Sequence, residues 1–144
     1  MSTGGAATVE GLVRGWLEHS PFASHLGIEL VSLGEGEAEL RLPFRPELAT
    51  MGNVVHGGAI SSIVDTAAAA AAVSAADGDE LGGGTTVDLS VSLVGAARGA
   101  AIAARARVIR SGRAISFVEV DVEDDGGRMV AKGLVTYRTF TRAD

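Results

Sequence analysis

The spacing of apolar positions switches along the chain between helical and alternating, and each switch predicts an element. Val9, Leu12, Val13, Trp16 and Leu17 recur at intervals of three and four, the signature of one helical face. They predict a helix over 8–19, with Thr8 as its N-cap and Ser20-Pro21 as its stop. Residues 22–27, FASHLG, read as a connector. From Ile28 the period becomes two: 28–33 and 37–44 form a hairpin around Gly34-Glu35-Gly36, with Ala38, Leu40, Leu42 and Phe44 set against Glu37, Glu39 and Arg41. Pro43 and Pro46 end the second strand and point to an edge position for it. After a loop over 45–56, Ile60, Ile63, Val64, Ala67, Ala68 and Ala71 mark the buried stripe of a long helix. Beyond Asp77-Gly78 come strand-like stretches at 84–94, 99–110, 114–124 and 128–140, the last three separated by the turn signals Ser111-Gly112 and Asp124-Asp125-Gly126-Gly127.

Helix, two strands, long helix and four strands define an α+β chain, an antiparallel sheet of about five to six strands wrapped around one central helix. The expected organisation is one domain over 1–144, with residues 1–21 as a helical extension. The helix after His56 has a second face that is small and apolar: Ser61, Ala69 and Ala72 lie beside Asp65, roughly 140° around the helix from Ile60 at ~100° per residue. A helix covered on both sides is expected to meet its own sheet on one and a partner on the other.

Composition narrows the function. A formal net charge of −6 excludes a nucleic-acid surface and any general attraction to anionic lipid, so an anionic ligand needs a local basic patch. The absence of cysteine removes disulfides, thiolate metal sites and cysteine nucleophiles together, and the 3 histidines show no metal-ligand spacing. No phosphate-binding loop or dinucleotide fingerprint is present, so no cofactor is expected. The start MSTGGAATVEGLV has no signal-peptide pattern, and Asp65 interrupts the longest apolar run, so a cytoplasmic location without membrane insertion is expected.

The candidate chemistry sits in residues 52–72, GNVVHGGAISSIVDTAAAAAA. A helix opening on Gly57-Gly58 presents bare N–H groups and the positive end of its dipole, a place for an oxyanion. Asp65 is the one ionisable residue between His56 and Asp77, and a charge on so apolar a helix is costly unless paired or used. The structural alternatives are definite: Asp65 hydrogen-bonded to Ser61 or Ser62, the two glycines serving only close packing, and His56 orienting backbone rather than reacting.

The segment H-G-G-A-I-S-S-I-V-D-T-A, residues 56–67, resembles the hotdog-fold acyl-CoA thioesterases, especially the phenylacetic-acid-pathway (PaaI-like) branch and related members of the thioesterase superfamily. The resemblance extends over about 22–140, and includes Thr85-Thr86-Val87-Asp88 and the turn LVGAARG at 93–99, with Gly95 where a proline is common. It implies hydrolysis of a small or aromatic acyl-CoA to the acid and coenzyme A. In that reading the Gly57 N–H polarises the thioester carbonyl, Asp65 is general base or nucleophile, and Thr86 positions water. The family's usual asparagine, six residues before the histidine, is Thr50 here; Asn53 stands three before it and is the candidate to replace it. His56, Gly58 and Ser61 would line the substrate, and Arg110 and Arg113, in Arg110-Ser111-Gly112-Arg113, would meet the coenzyme A phosphates, with a solvated turn as the alternative. The rival functions are a hotdog dehydratase, which usually pairs the aspartate with a histidine that this helix lacks after His56, and an acyl-CoA sensor without turnover.

Helix geometry adds a constraint. Gly57 and Asp65 are eight residues apart, roughly 12 Å at ~1.5 Å per residue, so one helix cannot hold one thioester with both. Two helices packed antiparallel about a two-fold axis bring Gly57 of one near Asp65 of the other, which predicts a homodimer with shared sites; the resemblance adds dimers often paired into tetramers. Thr86 poses a register problem. It alternates in step with Asp88, Ser90 and Ser92 rather than with the apolar Val87, Leu89, Val91 and Leu93, so it reaches a pocket only at the interface end of the strand or through a bulge at Gly82-Gly83-Gly84.

Overall fold

The N-terminal helix α1 (Gly4–His19) stops where Ser20 and Pro21 forbid its continuation, and the same two residues start another helix. Ser20 caps α2 (Pro21–Leu26) by accepting from the Ala23 N–H, and the left-handed Gly27 ends it. The connector expected at 22–27 is therefore a short helix. Thr8 lies inside α1 rather than at its cap. The face of α1 is narrower than its sequence pattern suggests: Val9, Val13 and Leu17 are buried, while Leu12 and Trp16 are exposed on the flank. The computed structural model describes residues 4–76 and 81–142, with side chains from residue 9, so the turn expected at Asp77-Gly78 lies outside the described residues.

The strands are β1 (Glu29–Gly34), β2 (Glu37–Leu42), β3 (Leu81–Leu93), β4 (Ile102–Ser111), β5 (Ile115–Asp124) and β6 (Met129–Thr141). They form one antiparallel sheet in the order β1-β2-β4-β5-β6-β3. β2 is thus interior, not an edge: Pro43 falls just past its end, where the lost N–H costs no ladder bond. β4 starts three residues later than its pattern predicts, because Arg98 and Gly99 are bound to the loop at 53–54. Both predicted turns close as hairpins, Gly112 N–H donating to Ile115 O and Gly127 N–H to Asp124 O.

The long helix α3 (Gly57–Ser74) lies in the concavity of this sheet and touches all six strands. Every residue of its predicted stripe is buried, and so are Ala69, Ala70 and Ala72. The charge of Asp65 notwithstanding, the 18 residues of α3 would suffice by length and mean hydropathy to cross a membrane. Inside this fold the same composition serves to admit a helix into a sheet. At its C-terminal end the Ser74 hydroxyl accepts from the Gly36 N–H at 2.9 Å, which ties the helix to the β1–β2 turn.

The outer face of the sheet carries the charges that alternate with the core. Arg105 pairs with Glu123 at 2.9 Å and Glu39 at 3.4 Å, Arg107 with Glu119, and Lys132 with Asp121 at 2.9 Å. The Glu119 carboxyl is drawn below its usual range by hydrogen bonds from Lys132 first and then Arg107.

The tightest approach of helix and sheet is at Gly133, where an added Cβ would stand 2.5 Å from Val64 Cγ1. Val64 is β-branched and fully buried, and such side chains are stiff in a helix, so it has little room to yield. Gly133→Ala is expected to cost about 1–3 kcal/mol in urea unfolding, and Gly133→Ala with Val64→Ala less than the sum of the two single changes. Strict additivity would mean that the two residues do not set the helix-to-sheet distance.

Candidate active site

Asp65 leaves α3 on the flank that faces the start of β3, where Thr86 Oγ1 donates to Asp65 Oδ1 at 2.6 Å. That length is typical of a hydroxyl bonded to a carboxylate. The partner is across the fold and is neither of the serines one turn earlier. Ser62 instead donates to Gly58 O at 2.7 Å.

A bulge resolves the register problem of Thr86. Thr86 pairs with Tyr137 and Asp88 with Thr136, which leaves Val87 as an extra residue. Beyond it Leu89, Val91 and Leu93 lie opposite Val135, Gly133 and Ala131, three buried positions of β6. Thr86, opposite buried Tyr137, therefore faces inward although it is out of step with those three. A further irregularity lies between Leu81 and Gly83, within the glycine run.

Asp65 and Thr86 open into a cleft of about 250 Å³. Thr66 and Ala69 of α3, Gly84 and Thr85 of β3, and Tyr137 of β6 line its inner part. Trp16, Leu17, Ser20, Phe22 and Ala23, from the two N-terminal helices, line the rest. Sequence reasoning missed Tyr137, Phe22 and the exposure of Trp16. The signal for Tyr137 was the glycine run opposite it: an added Cβ on Gly84 would stand 2.5 Å from the Tyr137 hydroxyl, so a glycine there makes room for the phenol.

The N-terminus of α3 forms a second cluster. His56 caps the helix, its Nδ1 accepting from the Gly58 N–H at 2.8 Å, and His56 O accepts from Ala59 and Ile60. The His56 N–H itself donates to Leu48 O, so three of the four donors that a helix start leaves free, those of His56, Gly58 and Ala59, are used. The Gly57 N–H is left without a partner among the described residues. An added Cβ on Gly57 would stand 2.7 Å from Leu93 Cδ1, so β3 passes beside this donor. His56 Nδ1 is taken up by this cap, and Gly58 cannot offer its N–H while it is in place.

The other predicted residues spread along the helix. Ser61 is half-buried, one turn before Asp65 on the same flank. Asn53 is exposed on the loop before α3, its carbonyl accepting from the Gly99 N–H at 2.8 Å, and Thr50 is exposed with its N–H given to Val54 O. Neither borders the cleft of Asp65. Arg113 borders a groove beside Ala72, Ala75 and Ala76, past the C-terminal end of the stripe, and Arg110 is exposed on β4 nearby. Arg105 and Arg107, which appear in sequence to extend that basic cluster, are taken up by their carboxylate partners.

Comparison with known proteins identifies the family and the fold. The model of the thioesterase superfamily matches residues 52–131. A Halobacterium salinarum protein that carries a provisional esterase name is 31% identical over 90% of this chain and 91% of its own length. Among solved structures, a thioesterase family protein from Silicibacter pomeroyi superposes with a TM-score of 0.84 at 26% identity, covering 92% of this chain and 98% of that one. The PaaI protein of the E. coli phenylacetic acid degradation operon shares the fold, with a TM-score of 0.83 at 20% identity over 94% and 95% of the two chains. A thioesterase protein from Streptococcus pneumoniae with coenzyme A shares it at a TM-score of 0.71 and 18% identity, over 79% and 86%. The chain belongs to the thioesterase superfamily. It has the hotdog fold and is a thioester hydrolase.

Tyr137 is the single tyrosine of the chain, and burial first, then the charge of Asp65, push its phenol up to about 12. A raised folded value means the phenol's contribution to stability is complete below the unfolded value of ~10 and lost as pH rises through the folded one. Phenolate absorbance in the native protein should therefore titrate near about 12. The melting temperature of the wild type should fall more steeply than that of Tyr137→Phe across the same window. A native midpoint at the unfolded value would show that the ring is open to water.

Proposed function

We propose that the chain hydrolyses a small or aromatic acyl-CoA to the free acid and coenzyme A, at a site assembled from two copies of itself. The observation that carries this reading is the separation of the two chemical halves: the Thr86–Asp65 pair in the cleft, and the single unused N–H of Gly57 roughly 12 Å back along the same helix. Thr86 donates a hydrogen bond to Asp65 Oδ1, so its oxygen can accept one from a water, while Asp65 Oδ2, still ionised, takes that water's other hydrogen as a proton. The water oxygen bonds to the thioester carbon. The carbonyl oxygen becomes an oxyanion held by the partner's Gly57 N–H, a donor of the kind worth about 2.7–4 kcal/mol in other enzymes. Collapse breaks the C–S bond, and the thiolate recovers the proton from Asp65.

Two features support a second copy. β3, 13 residues long, ends the sheet, and no described strand pairs with its outer edge. Around it and the start of α3, the large apolar side chains of Met51, Val87, Leu89, Leu93 and Val94 are exposed in the single chain. The coenzyme A present with the S. pneumoniae relative supports that ligand class, and Arg110 and Arg113 are the proposed contacts for its phosphates. Ser61, Gly58 and His56 would border the thioester from the partner's helix, and Asn53 is proposed for the loop position that the family fills with asparagine.

Release of free thiol from acyl-CoAs should fall by about 10²–10⁴-fold in Asp65→Ala, the usual contribution of a general base. No thiol from any thioester would reject the acyl-CoA reading, and an unaffected variant would reject Asp65.

Gly57→Pro removes the donor while keeping a residue that helices accept at their first position. Mixed with Asp65→Ala chains, themselves inactive, it should restore about a quarter of the wild-type rate, since half the dimers are mixed and each has one intact site. No recovery after demonstrated subunit exchange would mean that each chain builds its own site.

A further inference from the structure

We infer that α1 and α2 form the acyl-selecting wall of the site, with Trp16 and Phe22 as the residues that limit how long an acyl group can be. The inference rests on the thioesterase reading and adds to it the identity of the residues that choose the substrate.

Trp16 belongs by sequence to the apolar face of α1, yet the helix buries Val9, Val13 and Leu17 and leaves Trp16 38% exposed. Phe22, in the first turn of α2, is 60% exposed. Both border the same cleft as Asp65 and Thr86, and Leu12, one turn before Trp16, continues the apolar strip outward. Isolated exposed apolar residues need no explanation, but two large aromatic rings lining one cleft with a reactive carboxylate do.

The wall is held in place at several points. Val13 and Leu17 anchor α1, Ala23 and Leu26 anchor α2, Ser20 caps the joint between them, and Arg45 Nη2 donates to His25 O at 2.5 Å near the end of α2. A pinned wall can reject what does not fit, where a mobile one would yield. The same cleft is lined by the small Ala69, by Tyr137 and by the Asp65 carboxylate, so the aromatic rings and the carboxylate bound one free space.

The family match has the same division. Gly57, Asp65 and Thr86 lie within the matched residues 52–131, whereas Trp16, Phe22 and Tyr137 all lie outside them. The reacting groups thus come from the segment shared with the superfamily, and the boundary of the acyl space comes from the flanking helices and the last strand.

The test compares kcat/KM across straight-chain thioesters from acetyl-CoA to dodecanoyl-CoA for the wild type, Trp16→Ala and Phe22→Ala. A methylene that must be accommodated or refused changes kcat/KM by about ten- to two-hundredfold. The ratio of dodecanoyl-CoA to butanoyl-CoA should accordingly rise at least about tenfold in each variant. An unchanged ratio, or an equal loss at every chain length in a variant with wild-type circular dichroism, would overturn the inference. Trp16 is the single tryptophan of the chain, which gives a second readout independent of turnover. A hexanoyl-CoA thioether, which cannot be hydrolysed, should shift its emission, while coenzyme A alone should not. Unmoved emission with the thioether bound, as measured by calorimetry, would overturn the wall whatever the rates. Absence of thiol release by the wild type would count against the parent reading instead, and a thioether that still shifts Trp16 would uphold the wall.

Discussion

The structure depends on how close one helix can lie to one sheet. α3 enters the sheet's concavity because most of its buried residues are alanine and because β6 offers Gly133 opposite Val64. Interiors are packed to crystal density, so this distance sets every other position along the helix. At that spacing a side chain as short as aspartate, leaving the flank of α3, reaches the first residues of the edge strand. A leucine-lined helix would stand further off and leave the Asp65 carboxylate and the Thr86 hydroxyl without contact. The alanines therefore do more than fill a core; they bring a polar pair within 2.6 Å.

Much of this was legible before any coordinates. The period-two stretches, the turn glycines and the apolar stripe of α3 define the sheet, its hairpins and the central helix, because each is a local pattern with one structural solution. Asp65 stood out as a charge that an apolar helix would not carry for nothing, and Gly57 as a donor at a helix start. What local patterns cannot show is which of several adjacent apolar residues a second helix leaves uncovered, so Leu12 and Trp16 read as core with Val13 and Leu17. The Ser20-Pro21 pair was legible as a stop, yet a stop for one helix is equally a start for the next. Strand order is a tertiary property, which is why β2 looked like an edge.

The N-terminus of α3 and the bulge in β3 show how a fold apportions polar groups. His56 and its carbonyl satisfy the donors of Gly58, Ala59 and Ile60, so the helix start is held while the Gly57 N–H has no partner among the described residues. The extra residue at Val87 lets Thr86 share the helix-side face of the sheet with Leu89, Val91 and Leu93, although Leu89 and Leu93 stay exposed at this edge. In both places a local irregularity leaves a polar group placed where regular helix or strand geometry would not put it.

The two edges of the sheet differ, and this sets how the protein can assemble. β1 is six residues long, broken by a bulge between Leu30 and Ser32, and flanked by the Glu29–Arg41 pair and by α1. β3 is more than twice as long and exposes Val87, Leu89 and Leu93; it too is bulged, at Val87, but among the described residues no ion pair flanks it. A sheet that can be extended on one side only cannot grow strand by strand into a fibre: once that side is occupied, nothing remains to continue the pattern. Any association through β3 is therefore self-limiting.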